Sequence, residues 1–72
     1  MSWNYRIIRH ADYIGIHEVY YKKNGDIKMF SERPDSVQCN ADENIGVTWD
    51  MMAVAFDKPV LVERDGKLEE EK

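Results

Sequence analysis

The stretch from Ile16 to Phe30 constrains the fold of this chain most strongly, because it has the pattern of a β-hairpin. Two runs rich in β-branched and aromatic residues flank the dipeptide Asn24-Gly25. A type I′ turn needs positive φ at both central residues, and Asn-Gly adopts these conformations readily. We therefore predict a two-residue turn at Asn24-Gly25, which places Val19 opposite Phe30.

The remaining segments predict a second hairpin, a helix and a fourth strand. Four runs have the composition of strands, namely residues 3–9, 13–23, 26–32 and 60–63. A two-residue turn at Ala11-Asp12 would join the first two strands and pair Ile7 with Ile16. The predicted fold class is α+β, an antiparallel three- to four-stranded β-meander with one helix packed on one face.

Asn40 and Glu43 carry the pattern of a capping box, in which the first residue caps the helix and the second bonds back to it. We predict a helix that begins after Asn40 and ends near Asp57, because the residue before Pro59 is biased away from helical conformation. Apolar residues at spacings of four, three and four form a stripe that should pack on the sheet. The stripe consists of Ile45, Trp49, Met52 and Phe56.

The length and the acidic C-terminal end of the chain predict one domain followed by a short tail. With 72 residues, we predict a single α+β domain over residues 1–64. Residues 65–72 contain three consecutive glutamates and are expected to form a frayed acidic tail. A domain of this size buries only about 60–65% of its unfolded surface, so association with another chain would help to stabilise it.

Charge and cysteine content exclude several classes of protein. The net charge of −4 and the pI near 5.0 disfavour binding to nucleic acid or to anionic membranes. Cys39 is the only cysteine, so an intrachain disulfide is impossible and a reducing cytoplasm is indicated. No apolar run approaches the roughly 20 residues of a membrane span. We predict a cytoplasmic protein without membrane association.

Alternation along the strands divides the side chains between two faces of the sheet. The predicted core face carries Trp3, Tyr5, Ile7, Ile14, Ile16, Tyr20, Ile27 and Met29. The predicted outer face carries Ile8, Val19, Tyr21 and Phe30 beside the charged or polar Arg6, His17, Lys28 and Glu32. One helix cannot cover both faces, so either the outer face is an interface or the C-terminal segment folds back over it.

These patterns favour a non-enzymatic protein-interaction domain over an enzyme. The helix carries a second apolar set, Val47, Met51 and Val54, which adds to the surplus of apolar surface. We expect self-association as a homodimer first and a protein partner second. The candidate interface residues are Ile8, His17, Val19, Tyr21, Phe30 and Met51.

Catalysis receives weaker support from the residues. The reactive side chains that the predicted register brings near one another are His10, His17, Glu18 and Glu32. Ser31 should lie on the opposite face from His17, and Cys39 lies in a loop, so neither is placed as a nucleophile. A cross-strand charge pair on a sheet surface is the commoner meaning of this pattern. We predict no enzymatic activity and no cofactor.

Metal binding and nucleic-acid binding are the remaining alternatives. His10, His17 and Cys39 are suitable ligands, but they lack the C-x-x-C or H-x-x-x-H spacing of metal sites, so we predict no metal. A local basic and aromatic group resembles the surface of single-strand binders, although the acidic balance opposes it. That group consists of Arg6, Arg9, His10, Tyr21, Lys22 and Lys23.

Four blocks of the chain resemble a family of short uncharacterised bacterial proteins. The blocks are residues 3–10 (WNYRIIRH), 16–21 (IHEVYY), 31–34 (SERP) and 57–61 (DKPVL). Members of this family open with W-N-Y-R-x-x-R-H and continue with I-H-E-V-Y-Y. The chain departs from the family over residues 45–52, where the family has a helix rich in Glu and Leu. The resemblance implies the order strand–strand–strand–helix and implies no chemistry.

Overall fold

The computed structural model describes residues 2–71, which form an α+β fold with a five-stranded mixed sheet. The elements in chain order are β1 (Ser2–Arg9), β2 (Ile14–Tyr21), β3 (Ile27–Phe30), α1 (Ile45–Ala53), a 3-10 turn (Val54–Asp57), β4 (Leu61–Arg64) and β5 (Lys67–Glu70). The strand order is β3-β2-β1-β4-β5. All neighbours are antiparallel except β1 and β4, which are parallel. The α+β class is confirmed, whereas the antiparallel three- to four-stranded meander is wrong.

The turn between β1 and β2 is the one that the sequence predicts. The amide of His10 donates to the carbonyl of Tyr13 at 2.7 Å, so two residues form the loop. Ile7 pairs with Ile16, as expected. This tight connection brings the ends of the two strands together and places His10 beside Tyr13.

The turn between β2 and β3 is longer than predicted. The amide of Gly25 donates to the carbonyl of Lys22 at 3.0 Å, and the amide of Lys22 donates to the carbonyl of Asp26 at 2.8 Å. Gly25 has a φ of 92°, which gives a three-residue loop with a glycine in the left-handed region. The Asn24 side chain accepts from the amide of Asp26 at 3.0 Å, an Asx interaction that competes with the type I′ geometry.

A bulge changes the register of β3. Val19 pairs with Phe30 as predicted, but Tyr21 pairs with Ile27, so Lys28 is an extra residue in this strand. Ile27 therefore packs with Tyr21 on the interior face, although the sequence analysis placed it on the other face.

The core lies on the face that the sequence analysis assigned as the outer face. Ile8 and Val19 are fully buried, and Leu61 is 2% exposed. Four partly buried side chains pack against them, namely Tyr21, Ile27, Phe30 and Leu68. Because β3 and β5 are the two edges of the sheet and both contribute to this cluster, the sheet curls around it. The alternative in which the C-terminal segment covers this face is therefore the one observed.

The C-terminal hairpin explains why the core lies on the predicted outer face of the sheet and not on the predicted core face. Asp65 and Gly66 have φ values of 53° and 80°, the two positive values of a type I′ turn. This turn reverses β4 into β5, so the expectation of a frayed tail is wrong for residues 67–70. Arg9 holds the end of the segment through an ion pair with Glu71, in which the charged atoms are 2.6 Å apart.

The helix begins four residues later than predicted. Asn44 is the N-cap, and its side chain accepts from the amide of Gly46 at 2.8 Å. Asn40 and Glu43 form a separate turn, in which the amide of Asn40 donates to the Glu43 carboxylate at 3.2 Å. The helical segment ends at Asp57, as predicted. Within residues 2–71, no helix has both the length and the apolar character needed to cross a bilayer.

Few apolar side chains of the helical segment are buried. Met52 and Ala55 are buried in the structure, and the 3-10 turn that carries Ala55 packs beside β1. Ile45, Trp49 and Phe56 are more than half exposed. The prediction that their stripe packs on the sheet is therefore wrong for every member except Met52. The sheet obtains its interior from β4 and β5, so the helix does not have to supply it.

Candidate functional site

Five polar side chains meet where the first hairpin approaches β4. We call them the histidine cluster: His10, Tyr13, His17, Ser31 and Glu63. The tight turn stacks the ring of His10 on that of Tyr13, with ring centres 4.2 Å apart. Alternation along β2 points His17 to the interior, where it is fully buried. The parallel pairing of β4 with β1 brings Glu63 alongside His10.

The two histidines lie at the centre of this cluster. His10 Nε2 and His17 Nε2 are 3.1 Å apart. The other nitrogen of His10, Nδ1, lies 3.2 Å from Glu63 Oε1. His17 Nδ1 lies 2.9 Å from the carbonyl oxygen of Ser31. Tyr13 Oη is 3.4 Å from His17 Nε2, which is longer than a normal hydrogen bond between a hydroxyl and a nitrogen.

The partners of the Nδ1 atoms assign the protons on both rings. A backbone carbonyl only accepts, so His17 donates its Nδ1–H to Ser31. The carboxylate of Glu63 also only accepts, so His10 donates its Nδ1–H to it. In the neutral rings both Nε2 atoms therefore carry lone pairs, and these lone pairs lie 3.1 Å from each other. The two lone pairs repel each other, and either a proton on one Nε2 atom or a cation beside both would remove this repulsion.

The surroundings keep His17 neutral and Glu63 ionised. Burial lowers the pKa of His17; the Ser31 carbonyl opposes this shift, and His10 adds to it. The pKa of Glu63 is lowered mainly because the amide of Gly66 donates to its carboxylate at 2.8 Å. The hydrogen bond from His10 lowers it further. The type I′ turn thus holds the carboxylate that orients His10.

The cluster differs from the one that the sequence analysis proposed. His10 and His17 come together, but Glu32 is exposed and Glu18 accepts a hydrogen bond from Tyr20 at 2.9 Å. Ser31 Oγ lies 3.2 Å from His17 Nδ1, contrary to the expectation that it points away. Its hydroxyl donates to the carbonyl of Arg33 at 3.0 Å, so it is not activated as a nucleophile.

Glu63 and Tyr13 were missed by sequence reasoning. Glu63 is separated from His10 by 53 positions, and only the parallel pairing of β1 with β4 brings them together. Tyr13 follows directly from the two-residue turn, because that turn sets it opposite His10. Because the turn was predicted correctly, the contact between Tyr13 and His10 could have been predicted from the sequence.

The basic and aromatic group proposed for single-stranded nucleic acid is divided between the interior and the surface of the protein. Arg6 is buried and donates to the hydroxyl of Tyr21 at 3.1 Å and to the carbonyl of Pro59 at 2.8 Å. Arg9 is paired with Glu71. Arg6 thus stabilises the fold, whereas Lys22 and Lys23 are exposed.

A second feature is the apolar surface of the helical segment, which we call the helix patch. Its members flank the buried Met52 in two rows. Helical spacing places Ile45, Trp49 and Phe56 on one side and Val47, Met51 and Val54 on the other. Their side chains are 45–64% exposed. A groove of about 350 Å³ runs beside the patch and is lined by Trp3, Asn4, Tyr5, Met51 and Val54.

Three of the six candidate interface residues do not lie on a surface that a partner could reach. Ile8, His17 and Val19 are fully buried within one chain. Tyr21 and Phe30 pack against the core. Ile8, His17 and Val19 therefore cannot contact a partner in this fold, because the C-terminal hairpin covers their face, whereas for the partly buried Tyr21 and Phe30 the interface stays a prediction. The sixth residue, Met51, is exposed and belongs to the helix patch.

No protein family, curated protein sequence or solved structure matches the chain. The resemblance to short bacterial proteins therefore stays a prediction.

Proposed function

We propose that this protein works by self-association, in which the helix patch of one copy packs against the helix patch of a second copy. The observation that carries this proposal is the exposure of six large apolar side chains on one short helical segment. Soluble monomers rarely leave an apolar surface of this extent uncovered, and such surfaces mark sites of association. The expected interface thus moves from the sheet to the helix.

The chain exposes more surface and is more extended than a compact monomer of its size, as expected for one half of a dimer. It exposes 5554 Å², whereas the mass–surface relation gives about 4,700 Å² for a monomer of 8.5 kDa. The difference is comparable to the roughly 800 Å² that each partner contributes to a standard interface. The radius of gyration of 12.7 Å also exceeds the value of about 11 Å for a compact domain of this length.

The chemistry of the patch suits a second copy. Two identical chains of net charge −4 repel each other, so they can meet only where charge is sparse. Between Ile45 and Phe56, the only ionisable side chain is Asp50. Trp and Met are enriched in interfaces and charged residues are depleted from interface cores. A two-fold axis brings the same patch from both copies together, so the patch has to complement only itself.

The oligomeric state of variants tests this proposal. Trp49→Glu places a charge within the patch at a side chain that is 57% exposed, so it should not disturb the folded monomer. We expect light scattering to give a dimer mass for the wild type and a monomer mass for this variant. Ile14→Glu is the matched control, because Ile14 is 52% exposed but lies outside the patch.

Three outcomes would count against the proposal. A wild type that stays monomeric at high micromolar concentration would refute self-association. A dimer that survives both Trp49→Glu and Met51→Glu would place the interface elsewhere. Dissociation by Ile14→Glu to the same extent as by Trp49→Glu would mean that the helix patch has no special part in association.

A further inference from the structure

We propose that the histidine cluster binds one divalent transition-metal ion through His10 Nε2 and His17 Nε2, with Tyr13 Oη as a third protein ligand. The proposal is independent of self-association. It starts from the two facing lone pairs, which repel each other unless a positive charge lies between or beside them. A metal ion and a proton are the two candidates, and the geometry favours the metal ion.

The directions of the two rings favour an ion placed beside the pair. If one ring donated a straight hydrogen bond to the other across the observed 3.1 Å, the ring centres would be about 5.4 Å apart. They are 4.9 Å apart, and the ring planes are inclined by 53°. The two lone pairs therefore meet at an angle. Two imidazole nitrogens bound to one tetrahedral zinc ion at about 2.0–2.1 Å lie about 3.3–3.4 Å apart, slightly more than the 3.1 Å between the two Nε2 atoms here.

Tyr13 places an oxygen at the same point. Its hydroxyl oxygen lies 3.4 Å from His17 Nε2, which is long for a hydrogen bond but suits two ligands that share one ion. Its ring stacks on His10, which fixes the position of the hydroxyl. Tyr13 is 39% exposed whereas His17 is fully buried, so an ion would enter the site past Tyr13.

The outer partners of both histidines match those of metal ligands. Metal-bound histidines donate their second ring N–H to a carboxylate or a backbone carbonyl, which orients the ring. His10 donates to the carboxylate of Glu63 and His17 donates to the carbonyl of Ser31. Both types of outer partner are present, and both free nitrogens point toward the same region.

The donor set indicates the class of metal. Two imidazole nitrogens and a phenol oxygen suit Zn²⁺, Ni²⁺ or Cu²⁺ and do not suit Ca²⁺ or Mg²⁺, which prefer oxygen ligands. Within residues 2–71, no group of three or more His, Cys, Asp and Glu side chains is arranged to hold a metal ion. The protein would thus supply three ligands, the two histidines and Tyr13. Water would complete the coordination.

Calorimetric titration of the untagged full chain with Zn²⁺ tests the proposal. We expect one ion per chain for the wild type. His10→Gln removes one nitrogen and should lower the affinity by more than the 10–100-fold that loss of an outer partner costs. Tyr13→Phe preserves the stacking on His10 and removes only the oxygen, so it should weaken binding less than His10→Gln. Far-UV circular dichroism confirms that each variant is folded.

Two further variants separate this site from others. Glu63→Gln removes the carboxylate behind His10 and should weaken binding about 10–100-fold. Cys39→Ser should leave binding unchanged, because Cys39 contacts the carbonyl of Glu43 and takes no part in the cluster. Co²⁺ serves as a second probe, since its visible absorption reports nitrogen and oxygen ligands and should be lost in His10→Gln.

The proposal is overturned if the wild type binds Zn²⁺ no more tightly than His10→Gln does. The positive charge between the histidines would then be a proton. It is also overturned if Cys39→Ser abolishes binding, because the ion would then be held elsewhere. If His10→Gln does not fold, an unchanged affinity in both Tyr13→Phe and Glu63→Gln has the same meaning.

Discussion

Asp35 carries a partly buried carboxylate whose charge is compensated only in part, through a backbone hydrogen bond from Glu18. Its Oδ2 atom is buried and has no hydrogen-bond partner among the described residues. Burial raises the pKa of Asp35, and the neighbouring Glu18 carboxylate raises it further. The ionised form of this side chain is therefore less stable in the folded protein than in the unfolded chain.

We expect Asp35→Asn to raise the melting temperature at neutral pH. Like-charge contacts across a sheet destabilise by about 0.2–1 kcal/mol, and relief of the contact between Asp35 and Glu18 should be of this order, or a few degrees in a domain of this size. Because the pKa is raised by folding, protonation stabilises the wild type. The advantage of Asp35→Asn should therefore fade as the pH falls through the raised pKa toward 3.8.

Thermal melts at several pH values measure this difference. Asp42→Asn is the control, since Asp42 is exposed and the same change of charge should have little effect there. An advantage of Asp35→Asn that is equally large at acidic and neutral pH would contradict the explanation.

Among the elements, the helix begins at a different residue from the one that the sequence pattern predicts. Asn44 caps α1, whereas Asn40 closes the preceding turn. Loss of an N-cap side chain costs about 1 kcal/mol, so Asn44→Ala should lower the free energy of unfolding by about this amount. Asn40→Ala should cost less, and denaturant titrations compare the two. A larger effect of Asn40→Ala would mean that the helix begins at the predicted capping box.

The C-terminal hairpin depends on its turn. Gly66 has a φ of 80°, and an alanine in this left-handed region costs about 1–2 kcal/mol. We expect Gly66→Ala to destabilise the protein by this amount and to loosen the contact of Glu63 with His10, because the Gly66 amide holds that carboxylate. Hydrogen exchange of β5 amides should quicken more in Gly66→Ala than in Gly25→Ala, which has comparable backbone strain in the β2–β3 loop.

Similar exchange of β5 amides in the two glycine variants would contradict this account. The turn at Asp65-Gly66 would then have no special part in holding the C-terminal strand.

Local signals predicted much of the fold because they act over few residues. The turn before Tyr13, the pairing of Val19 with Phe30 and the end of the helical segment before Pro59 are all confirmed. The identity of the buried face was not predictable in this way, since both faces of β1 and β2 are rich in apolar side chains. The choice between them depends on β4 and β5, which join β1 through a long-range parallel pairing.

The candidate site shows the same division between short and long range. Tyr13 lies three positions from His10 along the chain, and a tight turn predicts that they meet. Glu63 reaches His10 only through the parallel pairing, and the run Lys67–Glu70 contains a single apolar residue, so β5 has no clear strand pattern. At the scale of the whole molecule, the long-range pairing thus determines both the core and the histidine cluster, and it leaves the helix patch uncovered.

If two copies associate, stability should depend on protein concentration. A dimer that dissociates on unfolding is stabilised by mass action, so the melting temperature should rise with concentration. Trp49→Glu should abolish this dependence, because it removes association without removing buried contacts in the monomer. A melting temperature that is constant over a hundredfold range of wild-type concentration would be the contrary result.

The fluorescence of Trp49 during dilution tests self-association through the helix patch most directly. Trp3→Phe leaves Trp49 as the only tryptophan in the chain. We predict blue-shifted emission at high concentration, where a second copy covers the ring, and a shift to the red on dilution with the same midpoint as the loss of dimer mass. Emission typical of a solvent-exposed tryptophan at every concentration would contradict the account.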